Sequence, residues 1–267
     1  MKKTQNEVML ITPRFSKTLK KAKIEFDKIH HFLVRDPVVK ETMFTSSSTV
    51  YSILRTVNLF FSFVVFIPII GSIWNFNLPH FLGYLLSAFG VYLTWIFEWV
   101  TKSTVLEEIR TVTIIQISLH SVFGLWYHFY DTFEIYDFII HFTGGIWLSF
   151  LIYPLVMGSE LVWTKTKMSF FFLKIFVITI SIVMTIGVFW EIGEFISDLI
   201  FRGYPGYRLA QEDSLFDTMV DFIVDFIGSL TGIYIFWNTL KRLNKTRDMD
   251  SLLERIGSAL KDYVNAS

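Results

Sequence analysis

The chain predicts an all-α fold, a polytopic membrane helix bundle with six transmembrane helices. Three observations lead there. Of its 267 residues 52% are hydrophobic, 18% aromatic and only 18% charged, and the mean hydropathy is +0.49; a soluble domain carries fewer apolar and more charged residues. The apolar residues gather into six runs, each near the ~20 residues that a helix needs to cross the hydrocarbon. Lys and Arg fall in alternate connecting segments, the pattern of cytoplasmic loops.

Residues 1–50 form a basic cytoplasmic arm with Arg14, Lys17, Lys20, Lys21, Lys23 and Lys28. Within it Leu19, Ala22, Phe26, Ile29 and Leu33 recur at helical spacing. That pattern predicts an amphipathic helix, lying on the anionic leaflet or packed on the protein's own loops. No secretory signal is expected, because the first apolar run starts only near Tyr51.

The six-span membrane domain covers 51–237. Its runs are 51–74, 79–100, 111–130, 137–157, 170–200 and 215–237. His120 and His128 interrupt the third, and its loss would invert everything after it. The fifth is long for one span, so its end past Glu191 tilts or projects from the bilayer. A cytoplasmic tail, 238–267, follows. There Ser251 and Glu254 have capping-box spacing ahead of Leu252, Leu253, Ile256 and Leu260, which predicts a short helix.

Charge sets the orientation. Lys102 and Arg110 lie between runs two and three, Lys165 and Lys167 between four and five, and Lys241, Arg242, Lys245 and Arg247 after six. The opposite loops carry only Arg202 and Arg208. Both termini are therefore expected in the cytoplasm, in the cell (inner or plasma) membrane. Glu98 ends run two on that side and reads as a solvated flank residue.

The acids follow another logic. Asp137 and His141 open run four, Glu191 and Glu194 close run five, and Asp217, Asp221 and Asp225 open run six. In the six-span layout all three sets reach the outer face. An Asp at the centre of a spanning helix costs about 2.5–3.5 kcal/mol, so such a concentration points to a site. Residues three or four apart share a helix face. Asp137 with His141, the Asp217–Asp221–Asp225 ladder, and Glu191 with Glu194 and Asp198 can each turn inward. Gly144, Gly145, Gly228 and Gly232 allow the fourth and sixth helices to approach closely.

Oxygen donors with one imidazole suit a divalent cation, Zn²⁺, Mn²⁺ or Mg²⁺. The chain has no Cys, which excludes disulfides, thiolate metal sites and cysteine nucleophiles. Asp137, His141, Asp217, Asp221 and Asp225 are the expected metal ligands, and Glu191 or Glu194 the general base. Arg202, Arg208 and His128 lie on the same side, where the arginines suit an anionic substrate group such as phosphate. The alternatives to a cation are shared protons among the acids or pairing with Arg202 and Arg208. Asp217 also complements a helix dipole, with Asp213 or Ser214 as the N-cap.

The string Tyr136-Asp137, His141-Phe142, Gly144-Gly145, then Trp190-Glu191 with Glu194, then Asp217-Thr218 with Asp221 and Asp225 resembles the YjdF-like family of bacterial inner-membrane proteins. More distantly it resembles the VanZ-like proteins associated with glycopeptide resistance. There an Asp–His pair opens one span, a Glu ends the next, and Asp, Asn and two glycines lie on the last. Asp225 stands where that pattern has Asn, so the YjdF-like match is nearer. The resemblance covers the second half of the chain. It implies an integral membrane protein and, through the VanZ-like link, the cell envelope; it supplies no reaction.

The preferred functional reading is a metal-dependent hydrolase or transferase acting on a lipid or envelope precursor. Cation or proton transport along the acidic ladder is the second, weakened because the cytoplasmic halves of runs four to six show no matching acids. A structural role is the third. The lipid bilayer is the expected partner and no nucleic acid is expected; the sequence does not fix the oligomeric state.

Overall fold

The computed structural model describes residues 40, 42–75, 77–165, 172–211 and 214–266. The expected amphipathic helix around 19–33, Lys167 and Asp213 lie outside them. The described residues form helices joined by turns and loops, with no strand among them.

Ser47 caps α1 (Ser48–Ser62) by accepting from the Val50 amide. A tight turn then leads into α2 (Phe66–Trp74), with Pro68 in its first turn. Asn77 caps α3 (Leu78–Thr101), which ends on Lys102 in the left-handed conformation. Helix α4 (Glu107–Ser118) runs without a break into a π-helical stretch, Leu119–Trp126. A single turn, α5 (Phe129–Thr132), precedes three long helices: α6 (Tyr136–Thr164), α7 (Phe172–Phe201) and α8 (Leu215–Leu243). The chain closes with α9 (Met249–Ala266).

Five helical stretches are long and apolar enough to cross a membrane: Ser48–Trp74, Leu78–Thr101, Tyr136–Thr164, Leu173–Phe201 and Leu215–Leu243. The expected third span, 111–130, is not among them. Glu107, Arg110, Thr113, Gln116 and His120 recur every three or four residues and give α4 and its π-helical continuation one polar face. The first four of these are buried inside the bundle. Trp147 Nε1 donates to the Thr113 hydroxyl at 2.8 Å, and Gln116 Nε2 to the Ile140 carbonyl at 3.0 Å. Tyr136 Oη donates to the Leu119 carbonyl at 2.9 Å, serving the π-helical turn. Hydropathy fails on this helix because neighbouring helices, not lipid, solvate its polar face.

Helices α6 and α8 form the closest pair. A Cβ on Gly145 would strike the Asp225 carbonyl, and one on Gly228 the Phe142 carbonyl. Backbone contact of this kind is the packing that small residues permit in membranes. Below it lies the main core, where Tyr153, Met157, Ile233, Phe236 and Leu240 meet Leu252, Leu253 and Ile256 of α9. At 29 residues each, α6 and α8 are about 43 Å long, well beyond the ~30 Å of hydrocarbon, so their terminal turns reach the headgroup region.

Helix α9 begins one turn before the expected cap: Asp248 Oδ1, not Ser251, accepts from an amide, that of Ser251 at 3.0 Å. Its apolar face docks on α6, with Gly257 against Gly158, and the Ser103 hydroxyl donates to the Ile256 carbonyl at 2.9 Å.

Glu98 and Arg110 depart most from expectation. Neither is a solvated flank or loop residue: Glu98 is 5% exposed and Arg110 fully buried. Arg110 reaches Glu98 at 2.8 Å and Glu107 at 3.2 Å, and Arg55 reaches the same two acids at 3.0 and 2.6 Å. Asn58 Nδ2 donates to Glu107 at 2.9 Å, and Arg110 lies 3.7 Å over the Trp95 ring.

Candidate metal centre

At the opposite end of α6 a second cluster forms. Asp137 and His141 lie one turn apart on α6, and Asp221 and Asp225 one turn apart on α8. The glycine contact just described brings the two helices close enough for these side chains to meet. His141 Nδ1 lies 3.3 Å from Asp225 Oδ1, while Nε2 lies 3.9 Å from both Asp137 Oδ1 and Asp221 Oδ1. One donor atom each from Asp137, His141 and Asp221 fall within 4.8 Å of one another. His141, Asp221 and Asp225 are buried, and the Asp137 side chain is 28% exposed, so the cluster opens at Asp137.

The donor set fits a divalent cation. Ligands at about 2.1 Å from a metal stand roughly 3.0–3.4 Å from one another, so the two 3.9 Å pairs would close by about 0.5–0.9 Å and the widest separation, up to 4.8 Å, by up to about 1.4–1.8 Å to embrace an ion. Asp225 sits on the other face of the imidazole. A proton on Nδ1 held by Asp225 turns the Nε2 lone pair toward Asp137 and Asp221, the arrangement by which outer carboxylates orient metal-bound histidines. Gly187 of α7 makes room for that carboxylate, since a Cβ there would stand 2.8 Å from Asp225 Oδ2.

Helix α7 supplies the third wall. Glu191 is 4% exposed, and its Oε1 is buried with no hydrogen-bond donor among the described residues. It interacts electrostatically with His141 and Asp225. Glu194 Oε1 accepts from Trp190 Nε1 at 2.7 Å. Asp217 lies one turn before Asp221 and interacts with it electrostatically. Ser214 is the N-cap of α8, with no side-chain cap bond.

The residues expected to meet an anionic substrate take rim positions. Arg208 Nε pairs with Asp131 at 3.2 Å, and its guanidinium lies 5.3 Å over the Tyr130 ring. His128, in the left-handed conformation and 67% exposed in its side chain, pairs through Nδ1 with the same Asp131 at 3.2 Å. Arg202 is exposed just past the end of α7.

A family model described as a predicted membrane protein, DUF2238, matches residues 60–242. The chain belongs to the DUF2238 family. A DUF2238 assignment fits the YjdF-like resemblance. An uncharacterised protein of Thermotoga maritima is 28% identical over 168 residues, which are 62% of this chain and 80% of that protein. No solved structure matches.

Sequence reasoning did not find the partners of two residues here, His120 and Asp198. His120 Nδ1 and Tyr130 Oη are 2.7 Å apart, and the His120 ring stands 5.1 Å from Trp190, edge to face. Asp198 serves as an anchor for the α7–α8 connection: it accepts from Tyr207 Oη and the Ala210 amide at 2.8 Å each and from the Gln211 amide at 3.0 Å. Burial pushes the Tyr207 phenol up to about 12, so it keeps its proton. The position of Asp198, four residues past Glu194, carried the signal for a shared face; nothing in the spacing marked Tyr207 or Gln211 as its partners.

Proposed function

We propose that the protein holds one divalent cation between Asp137, His141 Nε2 and Asp221 at the outer face of the cell membrane, and uses it to hydrolyse or transfer a lipid or envelope precursor. The observation that carries this reading is the convergence of three donor atoms within 4.8 Å, with Asp225 on the far imidazole nitrogen. Three protein ligands leave coordination positions for water and substrate, the pattern of catalytic sites. A bound cation would supply an activated water and polarise the scissile bond. Glu191, or Glu194 beside it, would be the general base. Arg208 and His128 at the rim face the anionic headgroup. Asp217 and Asp225 act from the second layer. The VanZ-like resemblance adds the envelope as the setting. The reading keeps both termini in the cytoplasm; in its support, α4 starts where Arg110 meets Glu98 and its π-helical continuation meets Tyr136.

Metal content of the detergent-purified protein tests this. Wild type should hold about one equivalent of Zn²⁺ or Mn²⁺, and folded His141→Ala and Asp221→Asn proteins should hold none. A metal-free wild type after soaking with Zn²⁺, Mn²⁺ and Mg²⁺ sinks the reading.

One observation favours transport as a second reading. The far end of the bundle does hold buried acids, Glu98 and Glu107, and the polar face of α4 connects them with His120. Intramembrane ionisable chains of this kind serve relays. Proton or cation flux in reconstituted vesicles, absent in Asp225→Asn, would replace the enzyme reading with this one.

A further inference from the structure

The connection between α7 and α8 carries a second layer of organisation. Within five residues it reaches three parts of the site. Tyr207 and the backbone of Ala210 and Gln211 are held by Asp198 of α7, as described, and Tyr207 Oη also meets Ser197 Oγ at 2.6 Å. Arg208 reaches Asp131 beside the centre's open edge. The Gln211 side-chain amide lies 3.2 Å from the Glu191 carbonyl, 3.4 Å from Glu191 Oε2 and 3.3 Å from Thr218 Oγ1 of α8. The Asp198 bonds are the short ones, and charge-assisted bonds to a carboxylate are about twice as strong as neutral ones. The Gln211 contacts are longer, so the amide sits where Asp198 puts the backbone.

We infer that Asp198 is a positioning residue that holds Gln211 across α7 and α8, where its amide takes one oxygen of Glu191 and covers Thr218. With Oε2 engaged, Oε1 is the oxygen left for chemistry. The inference rests on the proposed role of Glu191, but the cover over Thr218 stands or falls separately from any metal. The latch is local: three bonds to one carboxylate hold the segment 207–211.

The chain contains no Cys, so a single introduced thiol reads the cover directly. Thr218→Cys protein in detergent is reacted with a water-soluble methanethiosulfonate, with Thr164→Cys at the opposite end of α6 as control. Asp198→Ala is expected to speed labelling at 218 about tenfold and to leave 164 unchanged. Gln211→Ala, which keeps the Asp198 bonds to the backbone, should speed 218 by a similar factor, and Tyr207→Phe by about two- to threefold. Equal rates at 218 in wild type and Gln211→Ala overturn the inference, whether or not Asp198→Ala folds. Acceleration in Gln211→Ala with none in folded Asp198→Ala removes Asp198 from it. Metal content of the same preparations reports on the cation reading alone: a metal-free wild type whose labelling still follows Gln211 and Asp198 defeats the metal and keeps the latch.

Discussion

Two buried charge clusters occupy opposite ends of the same bundle and obey opposite rules. At one end Glu98 and Glu107 meet Arg55 and Arg110, two acids against two bases, at 2.6–3.2 Å. At the other end Asp137, Asp221 and Asp225 meet one imidazole at 3.3–3.9 Å. The first cluster is balanced and tight, and Asn58, Trp95 and Thr94 complete its contacts. The second has acids in excess and loose distances. A balanced cluster holds helices together. A cluster with surplus oxygen donors is one that the proposed cation would balance. Burial alone therefore does not mark a site; the balance between acids and bases separates the two.

The comparison breaks most visibly at Arg110. Removing one partner from a buried ion pair costs about 3–5 kcal/mol because the other charge stays behind. Arg110 serves two acids and donates to Thr94 at 2.7 Å. Arg110→Leu should therefore lose folded protein, or lower thermal stability by about 3–5 kcal/mol, as followed by size exclusion and unfolding in detergent. A normally stable Arg110→Leu protein would place this cluster in the same class as the other one.

How much of this could be read from the sequence divides along the same line. The acids of the second cluster stand in long apolar runs, where an Asp or Glu is out of place, and their i, i+4 spacing put them on shared faces of α6 and α8. The glycines gave the α6–α8 approach. The ligand geometry was not legible, because Asp221 and Asp225 are alike in sequence and only the imidazole orientation separates them. The other cluster was misread for a different reason. Glu98 and Arg110 lie near helix ends, where charges are ordinarily solvated, and their pairing with Arg55 depends on how α1, α3 and α4 pack. Of the polar face of α4, only His120 was read in the sequence, as a break in the third run. Its meaning as a buried, internally solvated helix required the neighbours.

Asp225 sharpens the comparison within the second cluster. If it orients His141 through Nδ1 and does not bind the ion, Asp225→Asn should weaken Zn²⁺ affinity about 10- to 100-fold, the usual effect of losing an outer carboxylate. Asp221→Asn should abolish measurable binding under the same conditions. A chelator-competition titration of the two proteins distinguishes these outcomes. Equal losses would return Asp225 to the ligand set.

The smallest expected effect is the most discriminating. Without a cation the three Asp carboxylates crowd one imidazole, and Asp217 and Glu191 add further like charge around Asp221. Asp221→Asn removes one negative charge and keeps the shape of the side chain. Metal-stripped Asp221→Asn should then be as stable as metal-stripped wild type, or more stable by up to about 1 kcal/mol, the scale of a partly compensated charge interaction. Added Zn²⁺ should reverse the order. A ligand at 100 times its Kd stabilises the native state by about 2.7 kcal/mol, and only wild type can gain it. Thermal unfolding in chelator and then in Zn²⁺ measures both. If Asp221→Asn is instead several kcal/mol less stable in chelator, then Asp221 is a structural partner of His141, as Glu107 is of Arg110, and the two ends of the bundle follow one rule.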